Sequence, residues 1–214
     1  MTKEGLGIFV PSFILTIFLF LLSVLTQSKI SSGIMLLFLG ITLFLAFFFR
    51  DPERKIIYGD NIILSPADGK IVELSPFSKK DFLNSDGTKV SIFLSLWDVH
   101  INRNPISGVV RYSKYTSGRF NPAYKEKASF ENEQNEVGLE NEKLKLILRQ
   151  ISGTLARRIV CRIKEGDKIK AGERFGMIKF GSRVELFLPE KVKVLVKLNQ
   201  KVKAGVTIIG TTGV

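Results

Sequence analysis

Gly166-Asp167-Lys168-Ile169-Lys170-Ala171-Gly172 is echoed further on by Asn199-Gln200-Lys201-Val202-Lys203-Ala204-Gly205. In each copy lysine alternates with a branched apolar residue, the period of a strand with one buried face. Each copy ends in Ala-Gly, so the C-terminal part of the chain carries an internal repeat of strand character. The sequence from residue 56 onward has the same character, with short apolar runs broken by Gly, Pro, Asn and Asp. Ile62-Ile63-Leu64 leads into a turn at residues 65–70 and then Ile71-Val72-Glu73-Leu74. Residues 90–96 read as a buried strand, 104–108 as a turn and 143–148 as a further strand. Residues 112–141 are polar and mixed in sign, and read as holding a long loop.

The N-terminal part is different. Residues 8–26 and 30–49 contain no charged residue, and each run is long enough to cross a hydrocarbon core as a helix. Only Gln27, Ser28 and Lys29 separate them, so the pair must be a tight antiparallel hairpin. A cleaved signal peptide fits poorly: Met1-Thr2-Lys3-Glu4 lacks net positive charge and the apolar run is too long. Arg50-Asp51-Pro52-Glu53-Arg54-Lys55 follows the second run and outweighs the single lysine at the tip, which places the remaining chain in the cytoplasm. The fold expected is mainly β (α+β): residues 1–49 form a two-helix membrane anchor and residues 50–214 a β-rich domain.

The net charge is +12, from 32 Lys and Arg against 20 Asp and Glu, almost all of it beyond the apolar hairpin. A basic domain beside membrane helices points to an anionic lipid surface. Nucleic acid is not expected, because the lysines alternate along strands instead of clustering with aromatics. One cysteine and one histidine exclude an internal disulfide and a Cys/His metal cluster. Cys161 reads as a small buried apolar residue.

Gly181-Ser182 is the reactive candidate. Taken alone it is a common turn dipeptide. A hydroxyl next to a glycine carbonyl can nevertheless attack it, if a base takes the proton and a carboxylate orients the base. His100 is the only histidine. Asp68 and Asp98 are both available as its orienter; on a strand, Asp98 and His100 would face the same side.

The repeat resembles the two halves of a biotinyl or lipoyl carrier domain, a flattened barrel-sandwich or hammerhead in which each half contributes a hairpin. Ser182 stands where such domains carry their modified lysine at a hairpin tip. The run Phe49-Arg50-Asp51-Pro52, Ser65-Pro66-Ala67-Asp68-Gly69, Trp97-Asp98-Val99-His100-Ile101-Asn102-Arg103-Asn104-Pro105, Asn132-Glu133-Gln134-Asn135-Glu136, Gln150-Ile151-Ser152-Gly153 and Phe180-Gly181-Ser182, with Ala156-Arg157-Arg158-Ile159, resembles the short, membrane-anchored phosphatidylserine decarboxylases. Many members of that family have Gly-Ser-Thr where this chain has Gly181-Ser182-Arg183.

The resemblance implies a pyruvoyl-dependent carboxy-lyase, made as a zymogen and cut by itself between Gly181 and Ser182 into residues 1–181 and 182–214, which stay together. The pyruvoyl group derives from Ser182 and replaces PLP; no metal is implied. The resemblance makes Asp68, His100 and Ser182 the processing triad; a lipid phosphate needs cations, and Arg103, Arg157 and Arg158 are the candidates. The substrate is phosphatidylserine or an ether-linked analogue of archaeal type, acted on at the plasma membrane from the cytoplasmic side; homo-oligomerisation is left open. The contrasting expectation is a non-catalytic, membrane-tethered adaptor of the carrier class. A carrier would need a modifiable lysine at the tip and would have no use for His100.

Overall fold

The computed structural model describes residues 1–123, 128–154, 158–179 and 181–213. The chain divides into two compact units, Met1–Pro52 and Glu53–Val214. The first is a hairpin of α1 (Lys3–Thr26) and α2 (Lys29–Phe48), each long and apolar enough to cross a membrane. The Thr2 side chain accepts from the Gly5 N–H to start α1, and Gln27, at φ 49°, turns the chain before Ser28 caps α2. Hydroxyl pairs bridge the helices: Ser12–Thr42 at 2.6 Å, Thr16–Thr42 at 2.9 Å and Ser23–Ser32 at 2.7 Å. Such pairs hold apolar helices together where the hydrophobic effect does not separate helix from lipid. The open end is closed by the Thr2 N–H donating to the Phe49 carbonyl at 2.9 Å.

The second unit is antiparallel β. In chain order its strands are β1 (Ile62–Leu64), β2 (Gly69–Lys80), β3 (Ser85–Leu94), β4 (Ile101–Arg103), β5 (Gly108–Thr116), β6 (Gln134–Glu140), β7 (Lys145–Ile151), β8 (Ile159–Cys161), β9 (Lys168–Ile169), β10 (Arg174–Ile178), β11 (Ser182–Pro189), β12 (Val192–Val194), β13 (Lys201–Val202) and β14 (Ile208–Thr212). A short helix, α3 (Ala128–Glu131), precedes β6. Eight strands form one curled sheet in the order β13-β2-β3-β11-β7-β6-β5-β9. Two three-stranded sheets, β1-β14-β12 and β4-β10-β8, complete the unit.

All three sheets contribute to one apolar cluster, including Ile63, Ile92, Leu148, Phe175, Val184, Leu186 and Ile209. β11 lies between β3 and β7, and every one of its residues is buried. Its alternation sends Val184, Leu186 and Leu188 into that core. Arg183 and Glu185 go to the opposite face, among Glu73, Ser91, Ser129 and Arg149.

The repeat is visible in the backbone. Gly166 and Asn199, which open the two copies, have φ 89° and 68°, and Gly172 and Gly205, which close them, have φ 79° and 71°. Both closing turns pack on Ile56: a β-carbon would lie 2.5 Å from its side chain at Gly172 and 2.8 Å at Gly205.

Three expectations change. The loop within residues 112–141 is shorter than their polarity suggests: β5 and β6 pair as a hairpin at the two ends of the stretch, leaving residues 117–133, with α3, as the connection. Most of the outer half of β5 is exposed, so polar residues there belong to a strand. Cys161 is half-buried, with burial pushing its thiol above the ordinary range. Ser182 is at no exposed hairpin tip; it begins a central strand as the chain crosses from the β4-β10-β8 sheet to the large sheet.

Candidate active site

The crossing brings Gly181 to His100. β10 runs antiparallel to β4, with Met177 opposite Ile101, and the Ile178 N–H donates to the His100 carbonyl at 3.4 Å. Chain leaving β10 therefore passes the imidazole, and the Gly181 N–H donates to His100 Nε2 at 3.3 Å. The other ring nitrogen, Nδ1, is 2.9 Å from the main-chain oxygen of Asp98. A carbonyl can only accept, so Nδ1 carries the proton and Nε2 presents its lone pair to the Gly181 N–H. His100 and Ser182 are both fully buried, and Ser182 Oγ has no hydrogen-bond partner among the described residues.

Gly181 is needed for its conformation and not for space. A β-carbon there would meet nothing within 4 Å, but φ is 64°, in the left-handed region that glycine enters most easily. Space matters at Gly153 instead, where a β-carbon would lie 2.0 Å from the Gly181 carbonyl oxygen. Gly153 is held in place from residue 152. The Ser152 N–H donates to Glu133, and the Asn132 amide donates to the Ser152 and Asn121 carbonyls, both at 2.8 Å. Through these bonds Asn121, Asn132 and Glu133 are fastened beside the Gly181 carbonyl.

The two carboxylates have other work in this state. Asp98 lies in the turn before His100, where Oδ2 accepts from the Ser95 N–H at 2.8 Å and from its hydroxyl at 2.6 Å. It is thus in no strand with His100, and it is its carbonyl that meets the ring. Asp68 Oδ2 pairs with Arg54 at 2.7 Å and Oδ1 accepts from the Ala204 N–H at 2.8 Å. Burial pushes the Asp68 carboxyl above the ordinary carboxylate range, and the nearby Asp98 charge adds to this, while Ala204 and Arg54 offset part.

Of the three arginines, Arg103 is buried and donates to the Gly172 carbonyl at 2.9 Å, bracing a repeat turn. Arg158 is exposed, and Arg157 lies outside the described residues. Sequence reading missed Arg54, taken only as part of a charge cluster, and Gly153, whose need for glycine depends on a carbonyl in a distant strand. Among the described residues no His, Cys, Asp and Glu cluster could hold a metal ion.

Comparison with known proteins gives this geometry a family. The profile described as phosphatidylserine decarboxylase matches residues 41–210. A phosphatidylserine decarboxylase proenzyme of Carboxydothermus hydrogenoformans is 43% identical over 98% of this chain and 95% of its own length. Proenzymes so named from Syntrophus aciditrophicus and Chlorobium phaeobacteroides are 46% and 44% identical, over 84% and 80% of this chain and 85% and 80% of theirs. With a matching profile over most of its length and relatives this close, the chain belongs to the phosphatidylserine decarboxylase family.

Proposed function

We propose that this chain is a self-processing decarboxylase that removes the headgroup carboxylate of phosphatidylserine, ester- or ether-linked, to leave the ethanolamine phospholipid. The observation that carries the reading is Ser182 Oγ, buried without a partner and one residue from the N–H that meets the chain's only imidazole. A buried hydroxyl left unpaired costs about 1–3 kcal/mol, and such costs concentrate where chemistry needs them.

Ser182 gives its proton to His100 Nε2 and its oxygen attacks the Gly181 carbonyl carbon. The Gly181-Ser182 C–N bond breaks, the freed amine takes a proton, and an ester remains. Loss of the Ser182 Cα proton expels the Gly181 carboxylate and leaves dehydroalanine. Water then replaces nitrogen, ammonia departs, and residues 182–214 begin with a pyruvoyl group. General-base help of this kind contributes roughly 10²–10⁴-fold. Asp68 is the negative charge that favours the imidazolium, kept in place by Arg54 and Ala204.

The pyruvoyl group supplies an electron sink for the pair left as CO₂ departs, the part PLP plays elsewhere. His100 is the residue to return a proton at that carbon. Arg158, being exposed, is the arginine offered for the lipid phosphate. The two products stay together because β11 remains hydrogen-bonded to β3 and β7 on either side. The helical hairpin anchors the enzyme in the plasma membrane with the β domain on the cytoplasmic side.

Purified protein mixed with phosphatidylserine, and no added PLP, should release CO₂ and form the ethanolamine lipid. Borohydride added with substrate should abolish turnover. Activity that survives that treatment would exclude a reactive carbonyl.

A further inference from the structure

Behind Ser182, on the same side of the large sheet, lies a pair of buried amides that the mechanism above does not use. Gln150 stands opposite Val184 in the β7–β11 register, so Gln150 and Ser182 are diagonal neighbours on one face, a spacing of about 7–8 Å. From there Gln150 reaches the β4-β10-β8 sheet, and its Nε2 donates to Asn102 Oδ1 at 2.8 Å. Gly176 makes the room: a β-carbon there would lie 3.1 Å from Gln150 Nε2. Both residues are fully buried. Gln150 Oε1 and Asn102 Nδ2 nevertheless have no partner among the described residues. Gln150 Nε2 also donates to the Val160 carbonyl at 3.4 Å, which fixes the orientation of the amide and leaves Oε1 and Asn102 Nδ2 as the spare atoms.

We infer that this pair selects the serine headgroup: the spare amide N–H binds the headgroup carboxylate and the spare carbonyl binds the N–H of the headgroup nitrogen. The inference rests on the decarboxylase reading. Serine carries a carboxylate and an amine on one carbon, so one donor and one acceptor side by side match it, and the ethanolamine product satisfies only the acceptor. Neutral amides also suit the chemistry. A full cation would stabilise the carboxylate more than the transition state in which its charge moves away to carbon, and so would raise the barrier. Cutting after Gly181 frees that residue from leading into β11 and opens the space in front of Ser182 to the headgroup.

The test is a competition on the cleaved enzyme. Equal amounts of a serine phospholipid and an ethanolamine phospholipid, distinguished by acyl length, are captured by cyanoborohydride on the new N-terminus and read as adduct masses on residues 182–214. The wild-type chain should take the serine lipid preferentially. In Asn102→Leu, which removes the donor to the carboxylate, the preference should fall by roughly tenfold, the worth of one hydrogen bond to a charged group. Gln150→Leu, which removes the acceptor that both headgroups use, should slow capture of both lipids, and Gln150→Glu, whose charge repels the headgroup carboxylate, should lower capture of the serine lipid more than that of the ethanolamine lipid. An unchanged preference in Asn102→Leu and Gln150→Glu overturns the inference. So does failure of all three to cleave, which would assign the amides to folding or processing. A wild-type chain that captures neither lipid would instead bring down the decarboxylase reading itself.

Discussion

Ser182 and Arg183 are neighbours in the chain but face opposite sides of one sheet, and they meet opposite environments. Ser182 is buried on the core face next to Gly181, whose N–H meets His100, whereas Arg183, also buried, meets Glu73 and Glu185 and donates to Ser91. This accounts for arginine at position 183: its charge answers two acidic side chains that the sheet buries or half-buries. Burial alone would raise the Glu73 carboxyl, but hydrogen bonds from Lys89 and Ser75 and the charge of Arg183 outweigh it and hold it below the ordinary range. Arg183→Met should therefore destabilise the domain by about 3–5 kcal/mol at neutral pH, the cost of breaking a buried pair from one side. Wild-type stability from Glu73 is present above its unfolded value and is lost as pH falls through its lowered folded value. Without Arg183 that carboxyl is easier to protonate, so the deficit should narrow on acidification; chemical denaturation at neutral and mildly acidic pH checks both. Ser182 and His100 stood out in the sequence because few side chains can serve as nucleophile and base. The carbonyl that orients His100 did not, since a main-chain contact follows from the turn held by Asp98 and leaves no trace in side-chain type.

At the scale of elements, the Lys-Ala-Gly repeat was the most readable feature, because its period and its glycines reflect backbone geometry directly. Its turns share one support. Gly172→Ala would force a left-handed alanine and drive a methyl into Ile56. The expected loss is about 1–3 kcal/mol, and Ile56→Ala should return part of it. A double-mutant cycle measures this directly, and strictly additive effects would show that the turn does not press on Ile56. The β5–β6 hairpin was harder to read. Its exposed outer half bears charged and hydroxyl residues that resemble a loop, and only pairing with β6, through residues such as Tyr115 opposite Asn135, makes it a strand. The placement of Ser182 was misjudged for a related reason. A carrier-like repeat suggests a hairpin tip, but the alternation of β11 with Val184, Leu186 and Leu188 demands a core strand beginning at the serine itself.

For the whole molecule, the proposed orientation puts both ends of the helical hairpin on the cytoplasmic side. Part of the basic cluster behind that reading is engaged within the domain, Arg54 with Asp68 and Glu53 with Arg174. The orientation therefore needs its own check. A cysteine at Lys29, in a Cys161→Ala background, should react with an impermeant maleimide from outside intact cells; labelling from the cytoplasm alone would invert the topology. The central claim concerns one bond. Intact-mass spectrometry of the purified wild-type chain should show two species, residues 1–181 and a pyruvoyl-headed 182–214, and Ser182→Ala should give a single full-length chain without activity. A wild-type chain that stays whole in a preparation converting phosphatidylserine to the ethanolamine lipid would contradict the account.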